Sequence, residues 1–328
     1  MRVFITGATG LIGSHLVDAL VERGDRPVAL TRDASRIPSH WHGKVDVVTG
    51  DPQTEGKWME SLCLCDAVVN LAGEPVAGRR WNARVKAEIE GSRVESTALI
   101  ALAIRGSDPH PQIFISASAS GYYGNQPWEK ELTEAHPPGE DYLAVVCRRW
   151  ESASSLGTLD GLVRKVNVRI SIVLDAERGA LARMLTPFKL GLGGPIGNGS
   201  QPFPWIHIDD MAGIILWALD NPQVRGPLNA CAPQAVTSRT FATTLGKVLN
   251  RPAFFPIPGF VLKLRFGEGA AVLLSGQRMV PAQAQALGYS FRYPELGPAL
   301  QNLLDRKKIP EADLNRLNRE PSKKGQPG

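Results

Sequence analysis

Short, uninterrupted apolar runs alternate with longer stretches whose hydrophobic positions recur every three or four residues through the first half of the chain. Val3-Phe4-Ile5, Val28-Ala29-Leu30, Val45 to Thr49, Ala67 to Leu71, Ile113 to Ser116 and Val163 to Ile172 read as strands. Ile12 to Arg23, Ala83 to Arg105 and Asp141 to Ser155 read as helices. The strand runs lack polar alternation, as strands buried on both faces should. Strand and helix in repeated alternation predict right-handed crossovers and an α/β fold: a doubly wound parallel sheet with helices on both sides. After Leu174 the texture changes. Gly191 to Gly199 holds too much glycine for a helix or a central strand and predicts a shaped loop close to a ligand. Asp209 and Asp210 open an apolar helix through Leu219, with one of them as its N-cap. From Pro227 onward, short segments punctuated by proline predict a smaller C-terminal lobe.

One glycine pattern sits where it has a mechanism. Gly7-Ala8-Thr9-Gly10-Leu11-Ile12-Gly13 follows the first strand at once and opens the first helix. Gly7 permits the tight turn, Gly10 lets backbone approach a pyrophosphate, and Gly13 lets helix and strand pack closely, while the first helical amides face the phosphates. At the end of the second strand, an NAD-preferring site would carry an acidic residue for the ribose hydroxyls. This chain has Ala29-Leu30-Thr31-Arg32 instead, a hydroxyl and a guanidinium suited to a 2′-phosphate, with Arg36 placed to assist. The expected cofactor is therefore NADP(H). Asp51 after the third strand is placed to reach the adenine, and Leu71-Ala72-Gly73 after the fourth to line the ribose and pyrophosphate, although each segment alone could simply be a strand-ending turn.

A Rossmann-type division follows: a dinucleotide-binding domain over 1–174 and 205–232, a substrate-binding lobe over 175–204 and 233–304, and a basic, disordered tail over 305–328. Length agrees, since 328 residues at ~150 per domain make about two. With 43% hydrophobic and 21% charged residues, the chain is neither disordered, collagen-like nor a coiled coil. Four cysteines are too few for a disulfide framework, and Cys63-Leu64-Cys65 lacks metal-ligand spacing, so reduced thiols of the cytoplasm are expected. Net charge is +5, but the tail alone holds seven Lys/Arg against four Asp/Glu, leaving the folded body near +2. That is no phosphate-tracking surface, and no nucleic-acid partner is expected. No apolar run approaches the roughly 20 residues that span a bilayer, and a strand starting at Arg2 leaves no room for a leader, so no membrane partner is expected either. The partner is a small molecule of unknown identity; the oligomeric state is open.

Beyond the glycine turn, the chain carries Arg80-Trp81, Gly91-Ser92-Arg93, Ser118 with Gly121-Tyr122-Tyr123-Gly124, Leu190 to Pro195, Trp205 to Asp210, and Gly276-Gln277-Arg278 before Pro281. In these it resembles the extended short-chain dehydrogenase/reductase superfamily, and more closely the atypical branch of epimerase family proteins, once described as cell-division inhibitors. The resemblance runs to about Leu304. It implies Thr31 and Arg32 on the 2′-phosphate, Leu71 and Ala72 on the cofactor backbone, Glu88 and Arg93 facing the cofactor from the long helix, and Val173 beside the nicotinamide. Orthodox members use a Tyr-x-x-x-Lys pair and a preceding serine. Ser118 fits the serine. The tyrosine position holds Leu143 and the lysine position Cys147. Tyr142 cannot substitute, because one residue turns a helical side chain by about 100°. A Cys147 nucleophile is disfavoured by the absence of a nearby base. The remaining proton sources are Tyr123, ranked first, and Tyr122, with Glu134 and His136 on the following loop. Gln201, Trp205 and Arg278 are candidates for substrate-facing groups. His207 with Asp209 and Asp210 does not converge as a metal site. Two functions result: an NADP(H)-dependent oxidoreductase or epimerase, or a non-catalytic NADP(H)-binding redox sensor or interaction protein. A third, partnership in cell division, has only the old description behind it.

Overall fold

A computed structural model describes residues 1–306. The first half runs β1 (Arg2–Thr6), α1 (Leu11–Arg23), β2 (Arg26–Thr31), β3 (Asp46–Thr49), α2 (Trp58–Cys63), β4 (Ala67–Asn70), α3 (Ala83–Gly106) and β5 (Ile113–Ala119). The second continues β6 (Glu131–Leu132), α4 (Tyr142–Ala153), β7 (Arg164–Ile170), β8 (Ile172–Leu174), α5 (Gly179–Lys189), β9 (Trp205–His207), α6 (Ile208–Asp220) and β10 (Gly226–Ala230). The chain then forms α7 (Ser238–Leu249), α8 (Gly259–Phe266), α9 (Ala271–Leu274), β11 (Arg278–Met279), α10 (Ala282–Ala286) and α11 (Leu296–Arg306).

Seven strands pair in the order β10-β7-β5-β4-β1-β2-β3, all parallel. Both faces are apolar, which is why the strand runs show no alternation. Val3 and Ile5 of β1 belong to one core with Leu16, Leu20 and Ile215 of α1 and α6. Phe4 between them belongs to the other core, with Trp58 of α2 and Ile100 and Ile104 of α3. The strand order reverses at β1, so helices leave on opposite faces beside β4 and a crevice opens above the carboxyl ends there.

Two expectations are corrected. Val163 to Ile172 is not one strand: β7 ends at Ile170, and Ser171 donates both its amide and its hydroxyl to the Ala230 carbonyl, at 3.1 and 2.8 Å. This turn hands the chain to β8, which pairs with β9 in a separate two-stranded sheet. The N-cap of α6 is neither aspartate but His207, whose Nδ1 accepts the Asp209 amide at 3.0 Å. Tertiary contacts claim the carboxylates instead. Asp209 forms a two-pronged pair with Arg306, and Asp210 accepts the amides of Arg292 and Tyr293. The tail expected over 305–328 lies, from residue 307 on, outside the described residues.

Candidate functional site

The glycine turn has the geometry its spacing requires. Gly7 adopts φ +66°, and a Cβ there would stand 2.7 Å from the Leu71 carbonyl oxygen. A Cβ on Gly13 would stand 2.2 Å from the Gly7 oxygen. The turn closes through the Gly10 amide on that oxygen at 2.9 Å. Gly10 caps α1 in extended conformation without a side chain to satisfy the first amides, which are left for a ligand. Above the turn lies a cleft of about 210 Å³. It brings together ten of the expected cofactor residues: Gly7, Thr9, Gly10, Thr31, Arg32, Arg36, Asp51, Leu71, Ala72 and Gly73. Leu11, Ile12 and Gly13 form the first turn of α1 and are not part of this lining. The cleft floor is bare backbone at Gly7 and Gly10, with no side chain on either, and its rim carries two arginines, so the residues fit a phosphorylated dinucleotide.

At the rim, the Arg32 side chain is 60% exposed and reaches across to Glu74, Nη2 to Oε1 at 3.5 Å. Thr31 is buried, and its hydroxyl exchanges hydrogen bonds with the Asp33 backbone, which orients the turn carrying Arg32. Asp33 puts a carboxylate near this rim. Its oxygen accepts from the amide and hydroxyl of Ser35, at 2.9 and 2.7 Å, and these bonds hold its carboxyl below the usual range.

Three further residues expected on the cofactor do not line this cleft. Arg93 is half-buried and spends its guanidinium on the carbonyls of Ile89 and Glu74, both at 2.9 Å, while stacking over Trp150. It buttresses the Gly73-Glu74 wall from behind, and its burial works against its charge. Glu88 is held by Arg79 and Arg84 at 2.8 and 2.9 Å and does not line the cleft. Val173 is buried in β8, where its carbonyl and the Leu11 side chain flank Gly179.

The sequence reading missed two groups. The Thr6 hydroxyl accepts the amides of Leu71 and Ala72, both at 3.2 Å, and donates to Asn70 Oδ1 at 2.6 Å. Asn70 and Trp150 in turn donate to the Thr97 hydroxyl. This buried chain fixes how β1 and β4 end. Arg178, just before α5, lays its guanidinium on the glycine turn. It contacts the Thr9 and Gly10 carbonyls at 3.4 and 3.3 Å, and the Ser14 hydroxyl. Only tertiary folding brings residue 178 to residue 10.

Beneath the carboxyl end of β5 lies a buried polar network. Ser118 donates its hydroxyl to Glu151 Oε1 at 2.7 Å. Arg169 holds both oxygens of that carboxylate, Nε at 2.8 Å and Nη2 at 3.0 Å. Its remaining nitrogen donates to the Tyr123 phenol at 2.9 Å and to the Glu134 carbonyl. Tyr123 is fully buried, donates to Asn229 Oδ1 at 2.7 Å, and is pushed up to about 12 by that burial. The first-ranked proton donor is thus a structural phenol. Tyr122 is half-buried, its ring lying under the Arg169 guanidinium at 3.5 Å, and among the described residues its hydroxyl has no hydrogen-bond partner. Where the superfamily places tyrosine and lysine, Leu143 and Cys147 pack against Gly121, and burial pushes the Cys147 thiol up to about 12. A charged residue inside a doubly buried strand, Arg169 between Val168 and Ile170, was the sequence signal for this network.

Of the three candidates for substrate-facing groups, Trp205 and Arg278 border one narrow crevice, which Gln201 does not line. Trp205 is core, its indole nitrogen donating to the Gln234 carbonyl at 3.0 Å. Gln201 bonds the carbonyls of Ile196 and Leu273, and Arg278 pairs with Glu131 over Trp128. His207 is neutral, depressed to about 4 by burial, and bonded to Asn302.

The sequence profile described as the NAD dependent epimerase/dehydratase family matches residues 3–231, and a domain of unknown function matches 257–303. The chain is 40% identical over 309 residues to epimerase family protein SDR39U1 of Homo sapiens, covering 93% of this chain and 100% of that one. It is 39% identical over 308 residues to the chloroplastic homologue of Arabidopsis thaliana, covering 93% and 87%. A crystal structure of the human protein with NADPH superposes with a TM-score of 0.82 at 38% identity, over 93% of this chain and 99% of that one. UDP-glucuronic acid 4-epimerase from Bacillus cereus, at 18% identity and TM-score 0.75 over 94% of this chain and 100% of that one, shares the fold.

Proposed function

The chain belongs to the NAD dependent epimerase/dehydratase family, and on that premise we propose that it is an atypical short-chain dehydrogenase/reductase that binds NADP(H) and acts as an oxidoreductase or epimerase on a small molecule. The observation that carries the reading is the cleft: a glycine turn open to a pyrophosphate, with Arg32 and Arg36 at the rim where an NAD site would carry a carboxylate. Human SDR39U1, similar over nearly its whole length, was crystallised with NADPH. Bound there, the nicotinamide supplies hydride transfer. The α1 amides would hold the phosphates and Arg32 the 2′-phosphate, while the end of β5 carries Ser118. Ser118 is the polarising hydroxyl, and acts by turning its one proton from Glu151 to the substrate oxygen. Tyr122, with a phenol that no group among the described residues engages, is the proton source.

Incubation of the purified protein with NADPH and a panel of aldehydes, quinones and nucleotide sugars, followed at the absorbance of the reduced nicotinamide, tests this. Turnover that falls at least ~tenfold in Tyr122→Phe supports the assignment, as loss of a general acid would produce; turnover unchanged in Tyr122→Phe and Ser118→Ala refutes it. Arg32→Ala should weaken NADPH far more than NADH, and equal weakening of both removes its role on the 2′-phosphate. One observation favours the alternative, a non-catalytic NADP(H)-binding sensor or interaction protein. The Ser118 hydroxyl is already committed to Glu151, and Leu143 and Cys147 close the place of the missing pair. Tight NADPH binding without turnover on any substrate is its signature.

A further inference from the structure

The C-terminal lobe carries a surface that the cofactor cleft does not use. Segments 179–208 and 221–267 contain eight Lys or Arg and no Asp or Glu. The same segments hold most of the large exposed hydrophobic side chains among the described residues. Phe254, Phe260 and Leu264 are 69, 72 and 76% exposed, and Leu190 and Leu192 stand out similarly. They form one face. The Arg251 guanidinium donates to the Lys189 carbonyl, the Phe255 amide to the Gly193 carbonyl and the Ile257 amide to the Pro195 carbonyl, which ties 189–195 alongside 251–257. Helix α8 follows directly. Its one buried side chain is Leu262, and it presents Phe260 and Leu264 together with Lys263 and Arg265. Its far end is held to the body by Arg80 on the Leu264 carbonyl and by the Trp81 amide on the Phe266 carbonyl.

Exposed apolar surface on this scale marks a contact. A second copy of the chain would bring the same cations face to face across a two-fold contact and repel. An anionic lipid surface meets both halves of the pattern, taking aromatic and leucine side chains at the acyl boundary and Lys/Arg at the headgroups. We propose that this face docks the protein peripherally on an anionic phospholipid membrane. Phe254, Phe260 and Leu264 enter the interface, and Lys189, Lys263 and Arg265 lie against the headgroups. Among the described residues no helix is long and apolar enough to cross a membrane, and lying on one requires none. The expectation of no membrane partner rested on the absence of a span, which does not bear on this mode.

Co-sedimentation of the full chain with vesicles of phosphatidylcholine alone, and of phosphatidylcholine mixed with phosphatidylglycerol, decides the matter, with NADPH binding as the measure of a folded protein. The expected result is retention on the phosphatidylglycerol vesicles only, weakened by salt. Lys263→Ala with Arg265→Ala should lower the partition about 30-fold, at roughly a factor of five per cation near an anionic surface. Phe260→Ser with Leu264→Ser should abolish retention while NADPH binding stays. The proposal falls if the protein ignores phosphatidylglycerol vesicles at low salt, binds both vesicle types equally, or binds undiminished in either double variant. It falls equally if the Phe260/Leu264 variant converts a dimer to a monomer in sedimentation velocity, since the face then belongs to a second copy.

Discussion

Glu151 and Arg169 form an ion pair sealed under the end of β5, at 13 and 3% side-chain exposure, and the consequence of breaking it can be worked from the contacts. Removing one partner of a buried pair leaves the other charge uncompensated and costs about 3–5 kcal/mol. Glu151→Gln keeps one oxygen for Arg169 but turns an amide N–H toward either the guanidinium or the Ser118 hydroxyl, so a cost near ~3 kcal/mol is expected. Arg169→Met strands the carboxylate and releases Tyr123 and the Glu134 carbonyl as well, so about 4 kcal/mol is expected. If the two charges mainly compensate each other, the double variant costs about 4 kcal/mol rather than the sum, a coupling of roughly 3 kcal/mol. Urea unfolding followed by the fluorescence of the seven tryptophans measures all four corners of the cycle. Additivity within ~0.5 kcal/mol would mean that the two charges do not compensate each other and that the pair is not the element that holds Ser118 in place. Ser118→Ala, which removes one hydrogen bond, should cost only about 1 kcal/mol.

Other consequences are more local. Arg178→Ala should weaken NADPH and NADH alike, by about fivefold for one exposed charge-assisted contact, in contrast to the selective effect of Arg32→Ala; titration with both nucleotides distinguishes them, and no effect on either removes Arg178 from the phosphate site. His207, depressed to about 4 when folded against 6.5 when free, opposes folding only where the unfolded chain takes up its proton. Its contribution to stability is therefore complete above pH 6.5 and lost as pH falls toward 4, by roughly 3 kcal/mol. His207→Asn, which can still cap α6, should flatten that slope in denaturation curves recorded between those pH values. Of the four cysteines, only Cys63 is not buried, and burial pushes the thiols of Cys65 and Cys147 up to about 12. Iodoacetamide should therefore label Cys63 first in the folded protein, and rapid labelling of Cys147 would contradict the closed Leu143/Cys147 wall.

Features that depend on local conformation, and on which side chains must leave water, were legible in the order of residues. Unbroken apolar runs at strand length made a sheet buried on both faces. Glycines after a strand made the turn tight, and at 7 and 13 a Cβ would collide with backbone. Arg32, one residue past the end of β2 at Thr31, fell on the rim because that strand delivers it there. Tertiary structure decided what depends on competition between distant groups for the same atoms. Asp209 was a fair cap for α6 until Arg306 took it, and His207 assumed that role. Arg93 was a free cation until the Glu74 carbonyl and Trp150 surrounded it. Tyr123 was a plausible acid until Arg169 and Asn229 closed on its phenol. Each of these polar groups must be satisfied once it is buried, and which partner satisfies it is fixed only when residues far apart in the chain are packed into the same few ångströms.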